Sequence, residues 1–276
     1  MDLIAVTGAT GAVGGRIARA LSSAGVQQRL VVRDASRAPD LPGAGVRTAG
    51  YGDAKALKHA FHGVHTLFFT SAAEDEHRLD QHRSVVEAAA AAGVQRVVYT
   101  SFLNAAADCT FTFGRDHFAT EEMLSAAKFG TTFLRDSFYS DILPEFVVEG
   151  ALRGPGGAGR VGAVARADVA EVAVAALLDD AHAGRSYDLT GPQALTFSEI
   201  AATISRVQGR EVTYVEETLE EAYDARAGFG APDWMVEGWV STYTAIAKGE
   251  LDVVSGDVES VTGHPARSLE DVLAGR

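Results

Sequence analysis

Apolar residues fall in short, regularly interrupted blocks along the first half of the chain. Leu3-Ile4-Ala5-Val6 is an apolar run that ends in glycines. Ile17, Ala18, Ala20 and Leu21 then recur at helical spacing as far as Gly25, a residue suited to closing a helix. Leu30-Val31-Val32 predicts a second strand, Val46 lies in a weaker third, and Thr66-Leu67-Phe68-Phe69 predicts a fourth. A helix over about Glu76 to Ala92 follows, then a fifth strand at Val97-Val98-Tyr99-Thr100. A helix from Asp116 to Ala127 leads to a sixth strand at Thr131-Thr132-Phe133-Leu134. Strands separated by helix-length segments need crossover connections, and crossovers make a parallel sheet. The predicted fold is α/β, a doubly wound parallel sheet of Rossmann type.

Beyond Arg135 the rhythm loosens. Gly154-Pro155-Gly156-Gly157 with Gly159 predicts a loop open to motion. A helix from Arg166 to Leu178, a strand at Ser186-Tyr187-Asp188-Leu189, a helix from Thr196 to Val207 and a strand at Val212-Thr213-Tyr214-Val215 come next. Met235, Trp239 and Tyr243 then share one face of a helix.

Composition narrows the class. The 276 residues are 47% hydrophobic and 22% charged, with a net charge of −13, which is ordinary globular composition. No apolar run reaches the roughly 20 residues of a membrane span, and no signal-peptide pattern precedes the first strand. Cys109 is the single cysteine, so neither an internal disulfide nor a cysteine-based metal site is expected. These features predict a cytoplasmic protein with no membrane association. Most of the negative charge lies beyond residue 210, which argues against direct nucleic-acid binding there. His59, His62 and His65 cluster without a Cys or carboxylate at metal spacing, so no metal is expected. Gly-x-Ser-x-Gly, the usual hydrolase elbow, is absent from the sequence.

The strongest chemical signal is Thr7-Gly8-Ala9-Thr10-Gly11-Ala12-Val13-Gly14, where the first strand meets the first helix. Gly8, Gly11 and Gly14 permit a tight turn, close backbone approach to a pyrophosphate and close helix–strand packing. The helix N-terminus adds free N–H groups and the positive end of its dipole. Gly8, Thr10, Gly11, Val13 and Gly14 are therefore cofactor-binding candidates. Arg33-Asp34 ends the second strand, where dinucleotide folds separate a ribose from a 2′-phosphate, and Arg37 lies one turn further. Arg33 and Arg37 favour NADP over NAD; the opposing reading leaves Arg33 solvated and gives the ribose to Asp34. The chain then divides into a dinucleotide-binding domain, 1–150, and a mixed α/β C-terminal substrate lobe, 151–276, with some segments returning to the main sheet.

The glycine spacing, Tyr51-Gly52-Asp53, Tyr99-Thr100-Ser101, Thr120-Glu121-Glu122-Met123-Leu124, Leu134-Arg135-Asp136-Ser137-Phe138-Tyr139-Ser140 and Ala165-Arg166-Ala167-Asp168 together resemble atypical short-chain dehydrogenases/reductases of the NmrA-like type. The likeness is greatest to the NADPH:quinone oxidoreductase and triphenylmethane reductase branch. It implies that Asp53 lies by the adenine, that Thr70-Ser71-Ala72 line the ribose side, and that Ser137, Phe138 and Tyr139 lie near the nicotinamide. Short-chain reductases carry a Tyr and a Lys four residues apart on one helix. Here the matching positions hold Phe113 and His117, so the usual proton donor is missing. His117 can meet the nicotinamide ribose or, with a near-neutral pKa, shuttle a proton; the alternative is an exposed helix residue paired with Glu121.

Catalytic candidates are thus His117, Tyr139 and Ser101. Phe102, Phe138, Tyr139, Trp234 and Trp239 are the substrate-side candidates, with Tyr139 either a proton donor, a stacking face or a packed aromatic. The two tryptophans are either lobe core or a substrate-facing lid. Two functions fit. The first is an NADPH-dependent reductase passing hydride to a flat, electron-poor aromatic such as a quinone, a dye or an aromatic polyketone-like carbonyl. The second is a non-catalytic NADP-binding redox sensor. The expected partner is a small aromatic substrate, and the expected state a monomer or homodimer.

Overall fold

The structure, a computed structural model, describes residues 2–276. In chain order the elements are β1 Ile4–Thr7, α1 Ala12–Ser23, β2 Gln28–Val32, β3 Ala44–Thr48, α2 Ala54–Phe61, β4 Thr66–Phe69, α3 Arg78–Ala92, β5 Arg96–Phe102, α4 Thr112–Ala126 and β6 Gly130–Asp136. There follow β7 Val147–Val148, β8 Ala151–Gly154, β9 Arg160–Val161, α5 Arg166–Leu178, β10 Ser186–Leu189, β11 Leu195–Thr196 and α6 Phe197–Gln208. The last are β12 Thr213–Glu216, α7 Leu219–Ala227, α8 Asp233–Ala247, α9 Asp257–Thr262 and α10 Leu269–Leu273.

The chain forms two compact units whose segments interleave in sequence. Unit 1 comprises Met1–Ser101, Asp116–Arg135 and Val169–Tyr187; unit 2 comprises Phe102–Arg115, Asp136–Asp168 and Asp188–Arg276. The main sheet has the order β10-β6-β5-β4-β1-β2-β3. In unit 1, β1 pairs in parallel with β2 and β4, β2 with β3, and β4 with β5. This is the doubly wound Rossmann-type sheet. Strand order reverses between β1 and β4, the switch point where such sheets open a crevice for ligands. β4 and β5 are buried along their whole length, which is why each carries a block of consecutive apolar residues, Leu67-Phe68-Phe69 and Val97-Val98-Tyr99, with no polar alternation inside it. Leu57, Phe61, Leu67, Phe69, Val85, Val97, Tyr99 and Leu124 build the unit's core.

Unit 2 is mixed. β12, β8 and β7 form a small sheet, parallel between β12 and β8 and antiparallel between β7 and β8. Helix α6 starts on a capping box, in which Thr196 and Glu199 satisfy each other's backbone N–H groups.

One element is added here and one expectation corrected. The helix α2 supplies a crossover that the weak apolar pattern around Val46 to Phe61 does not reveal. The glycine run at 154–159 is a packed connection rather than a loop open to motion. A Cβ on Gly154 would lie 2.2 Å from the Tyr243 ring, on Gly156 2.4 Å from Phe197, and on Gly159 2.2 Å from the Ile246 carbonyl. These glycines are there because aromatic rings and a backbone occupy the space.

Candidate functional site

In unit 1 the turn after β1 has the form the glycines require. Gly8 adopts φ +65°, a left-handed conformation that glycine enters without strain. Its carbonyl accepts from Gly11 N at 2.8 Å. A Cβ on Gly14 would lie 2.3 Å from that same carbonyl oxygen, so α1 can approach the turn only with glycine there. Gly11 is the N-cap of α1 and offers no capping side chain. The first-turn N–H groups of α1 lack intrahelical acceptors, as in any α-helix. Val13 is buried beneath the turn, whereas Thr10 is exposed.

The walls on either side of β1 are tied by side chains. Thr7 Oγ1 accepts from Thr70 N at 2.9 Å, and Thr70 Oγ1 donates to the Thr7 carbonyl at 3.1 Å. Tyr51 Oη donates to the Thr70 carbonyl at 2.7 Å and lies 2.7 Å from Thr7 Oγ1. Ser71 N donates to Thr100 Oγ1, and Ala72 N to His82 Nε2, each at 2.9 Å. Thr70, Ser71 and Ala72 are therefore anchored through Thr7 and Thr100, which the motifs include without giving them a role, and through His82, which the sequence does not single out. Burial, reinforced by the Arg78 charge, drives the His82 pKa down to about 3, so this ring is neutral.

Arg33 and Arg37 are exposed at the end of β2. Asp34 caps the short 3-10 turn Ala35–Arg37, its Oδ1 accepting from Ser36 N at 2.9 Å and Ser36 Oγ at 2.7 Å. Asp53 likewise caps α2, accepting from Ala56 N at 2.9 Å.

His117 differs most from its sequence reading. It is neither exposed nor paired with Glu121: it is buried in unit 1. Its Nε2 lies 3.0 Å from Arg78 Nη2, and its Nδ1 lies 3.1 Å from Tyr99 Oη. A guanidinium can only donate, so Nε2 accepts and the ring proton sits on Nδ1. Burial first, then the Arg78 charge, holds the His117 pKa well below 6.5. The near-neutral pKa expected from histidine's ordinary value is thereby corrected. Glu121 instead takes Arg135, through Nε at 2.9 Å and Nη2 at 2.6 Å, and accepts from Ser101 Oγ at 2.6 Å. Ser101 is completely buried in that contact.

Arg78, which no sequence signal marks, is itself 3% exposed. Its Nε and Nη1 are buried without hydrogen-bond partners, and Asp116 Oδ2 stands 3.6 Å from Nη1. The only hint in the sequence is an arginine that opens the helix after the fourth strand.

In unit 2, Phe102, Phe111, Phe113, Phe138 and Trp234 form an aromatic cluster. Ring centroids are 4.6 Å apart for Phe102–Phe111, 5.6 Å for Phe102–Phe138 and 6.0 Å for Phe113–Trp234. Phe113 packs against Gly238 of α8, where a Cβ would sit 2.1 Å from its ring. Trp234 and Trp239 are both partly buried, and Trp239 meets the exposed Phe229. Ser137 and Ser140 are buried with hydroxyl oxygens lacking partners. Tyr139 donates its hydroxyl to Asp136 Oδ2 while the Arg166 guanidinium lies 5.0 Å from its ring centre.

Aromatic contacts of this kind are worth about 0.5–1.5 kcal/mol each, or roughly two- to tenfold. Trp234→Ala is accordingly expected to weaken binding of a flat aromatic molecule that stacks on this cluster about two- to tenfold. Fluorescence titration with such a molecule checks this. Loss of soluble protein in the Trp234 and Trp239 variants alike would return both residues to the core.

The NmrA-like family profile matches residues 1–258 of the chain. Quinone oxidoreductase 2 of Escherichia coli is 34% identical over 282 residues, covering 99% of this chain and 98% of its own. NAD(P)H azoreductase of Xenophilus azovorans is 32% identical over 276 residues, covering 98% and 96%. The crystal structure of Citrobacter triphenylmethane reductase complexed with NADP(H) superposes with a TM-score of 0.88 at 31% identity, covering 99% of each chain. Among the described residues no helix is long and apolar enough to cross a membrane.

Proposed function

The chain belongs to the NmrA-like family, and from this premise we propose that it is an NADPH-dependent reductase of flat, electron-poor aromatic acceptors such as quinones and dyes. The observation that carries the proposal is the Gly8–Gly14 turn, whose backbone closes so tightly on α1 that only glycine fits. The buried Arg78, whose Nε and Nη1 lack hydrogen-bond partners although Asp116 lies 3.6 Å from Nη1, adds N–H donors suited to an anionic or carbonyl-bearing ligand. In this reading Gly8, Thr10, Gly11, Val13 and Gly14 hold the pyrophosphate, Arg33 and Arg37 the 2′-phosphate, and Asp53 and Thr70–Ala72 the adenine and ribose side. Phe102, Phe138, Tyr139, Trp234 and Trp239 serve the acceptor. Bound NADPH supplies the hydride.

The three relatives are named for a quinone, an azo and a triphenylmethane reaction. Such acceptors spread the added electron pair over a conjugated frame, unlike a ketone, which becomes a localised alkoxide needing an acid or an oxyanion site. This chain has Phe113 where the family's larger class has the acid tyrosine, and a neutral buried His117 in place of the lysine. Its residues are therefore asked chiefly to position, and positioning alone can supply a large share of a barrier reduction.

His117→Ala is expected to lower turnover of a quinone about tenfold or less. It should cost stability of about 1–3 kcal/mol, because Arg78 Nη2 loses its acceptor. A thousandfold loss of turnover in a folded variant would make His117 an essential acid. The deciding experiment is NADPH oxidation against a panel of quinones, azo and triphenylmethane dyes and aromatic ketones. A flat response across the panel, with tight NADP binding, would replace the enzyme by a redox sensor.

A further inference from the structure

Strand β6 ends on a carboxylate with unusual surroundings. Asp136 is 5% exposed, and among the described residues no cation reaches its oxygens: they meet the Tyr139 hydroxyl and its own backbone N–H. The segment that follows is held in place. Ser137 N donates to the Leu189 carbonyl, Val164 N to the Phe138 carbonyl, and Ser140 N to the Val164 carbonyl, at 2.8 to 3.0 Å. Charged groups facing the pair come from two neighbouring segments. Arg166, at the start of α5, lies over the Tyr139 ring, and Asp141, in the turn after Tyr139, accepts from Arg166 N at 2.8 Å. Both are felt at Tyr139; neither is among the groups that set Asp136.

We propose that Asp136 and Tyr139 form a proton-donating pair for the reduced acceptor, in which Asp136 is the positioning residue that decides which way the Tyr139 hydroxyl proton points. A tyrosine hydroxyl has a single proton. While Asp136 is ionised, that proton is committed to the carboxylate, and Tyr139 presents only oxygen lone pairs outward. Once Asp136 is protonated, its own O–H donates to Tyr139 Oη, and the tyrosine proton is released to face outward. A quinone that has accepted hydride is a hydroquinone monoanion. Its oxygen takes the proton from Tyr139 Oη as Asp136 passes its proton to the same oxygen. The products are neutral hydroquinone, neutral tyrosine and an Asp136 carboxylate, which solvent reprotonates. Burial raises the Asp136 pKa to about 7, against the opposing pull of the Tyr139 hydrogen bond, so the donor form is populated near neutrality.

The proposal rests on the reductase reading, and its test separates the two. With a quinone, turnover is expected to fall roughly three- to tenfold as pH rises through about 7. That is below the hundredfold or more typical of an acid serving an alkoxide. A cationic triphenylmethane dye becomes neutral on taking hydride and needs no proton, so the same enzyme with the same cofactor should show no such fall. Asp136→Asn should flatten the quinone profile.

Independently of turnover, infrared difference spectra of the ligand-free protein carrying carbon-13 aspartate should show a carboxylic acid band titrating near 7. In Tyr139→Phe that band should titrate higher, because the hydrogen bond that favours the carboxylate is gone. This second variant carries the test where Asp136→Asn does not fold. A fall that persists in Asp136→Asn, an equal fall with the dye, or no band titrating near 7 would overturn the pair. Absence of turnover with every acceptor, alongside the titrating band, would overturn the reductase reading instead.

Discussion

Gly14→Ala is expected to remove NADPH binding and to leave a less stable protein. A Cβ at this position would lie 2.3 Å from the Gly8 carbonyl oxygen, 2.6 Å from Gly8 C and 3.0 Å from the Thr7 carbonyl oxygen. All three are backbone atoms, so no side-chain rotation relieves the clash. Either α1 withdraws from β1 or the Gly8–Gly11 turn opens. The first disturbs Val13, Ile17 and Leu21, all buried, and overpacking of this kind costs about 1–3 kcal/mol or more. The second breaks the turn whose N–H groups are proposed to meet the pyrophosphate. Gly11→Ala is the control. Its Cβ would meet only the Gly8 carbonyl oxygen, at 3.2 Å, and Gly11 has an extended backbone at φ −94° that alanine adopts freely. Thermal melting and fluorescence titration with NADPH check the pair. Affinity should fall about a hundredfold or more for Gly14→Ala, about 2.7 kcal/mol, and less than about tenfold for Gly11→Ala. Equal losses in the two variants would refute the steric argument.

The sheet is legible in the sequence because a buried parallel strand is an uninterrupted apolar run, and Thr66–Phe69 is both predicted and observed over the same four residues. The glycine turn is legible for a related reason: steric exclusion of a side chain leaves glycine as its trace. The same trace misleads at Gly154–Gly159, where glycine again marks crowding, and a run of glycines and a proline reads as slack chain. Helix α2 escapes notice because only Leu57, Ala60 and Phe61 of its eight residues are buried.

What the sequence conceals is pairing between distant positions. His117 has a near-neutral pKa as an isolated residue; burial first, and then its meeting with Arg78, 39 positions away, make it a neutral acceptor. Asp136 reads as one more charged residue at a strand end. Its significance comes from burial without a cation, which no local pattern announces. Asp34 and Asp53 show the converse: Asp34 sits at the strand end where a carboxylate can take the ribose, Asp53 where the resemblance places the adenine, and both also cap the turn or helix that follows them. A capping role and a ligand role draw on the same residue types, so spacing alone does not separate them.

Arg33→Ala is expected to erode a preference for NADPH over NADH by about ten- to a hundredfold. At the end of β2 the competing groups are Arg33 and Asp34. A carboxylate there favours NAD by accepting from the ribose hydroxyls, and it repels a 2′-phosphate. Asp34 is turned to its own loop, and the hydrogen bond from the Ser36 side chain, followed by that from the Ser36 backbone, holds its pKa below the ordinary carboxylate value. It remains charged, yet one oxygen is already occupied by two donors. Arg33 is exposed, near enough to Tyr51 to act on that hydroxyl, and has its guanidinium open to an incoming phosphate. A hydrogen bond to a charged group contributes about 1.5–3 kcal/mol, which is the stated range in affinity. Exposure places the effect toward the lower end and makes it salt-dependent, because screening acts over about 10 Å at 0.1 M salt. Dissociation constants for both cofactors, measured at low and high salt, give the test. The NADPH affinity should fall with salt in the unmodified protein and much less in Arg33→Ala, while NADH affinity barely moves in either. Equal affinities for the two cofactors in the unmodified protein would assign the ribose to Asp34 and leave Arg33 in solvent.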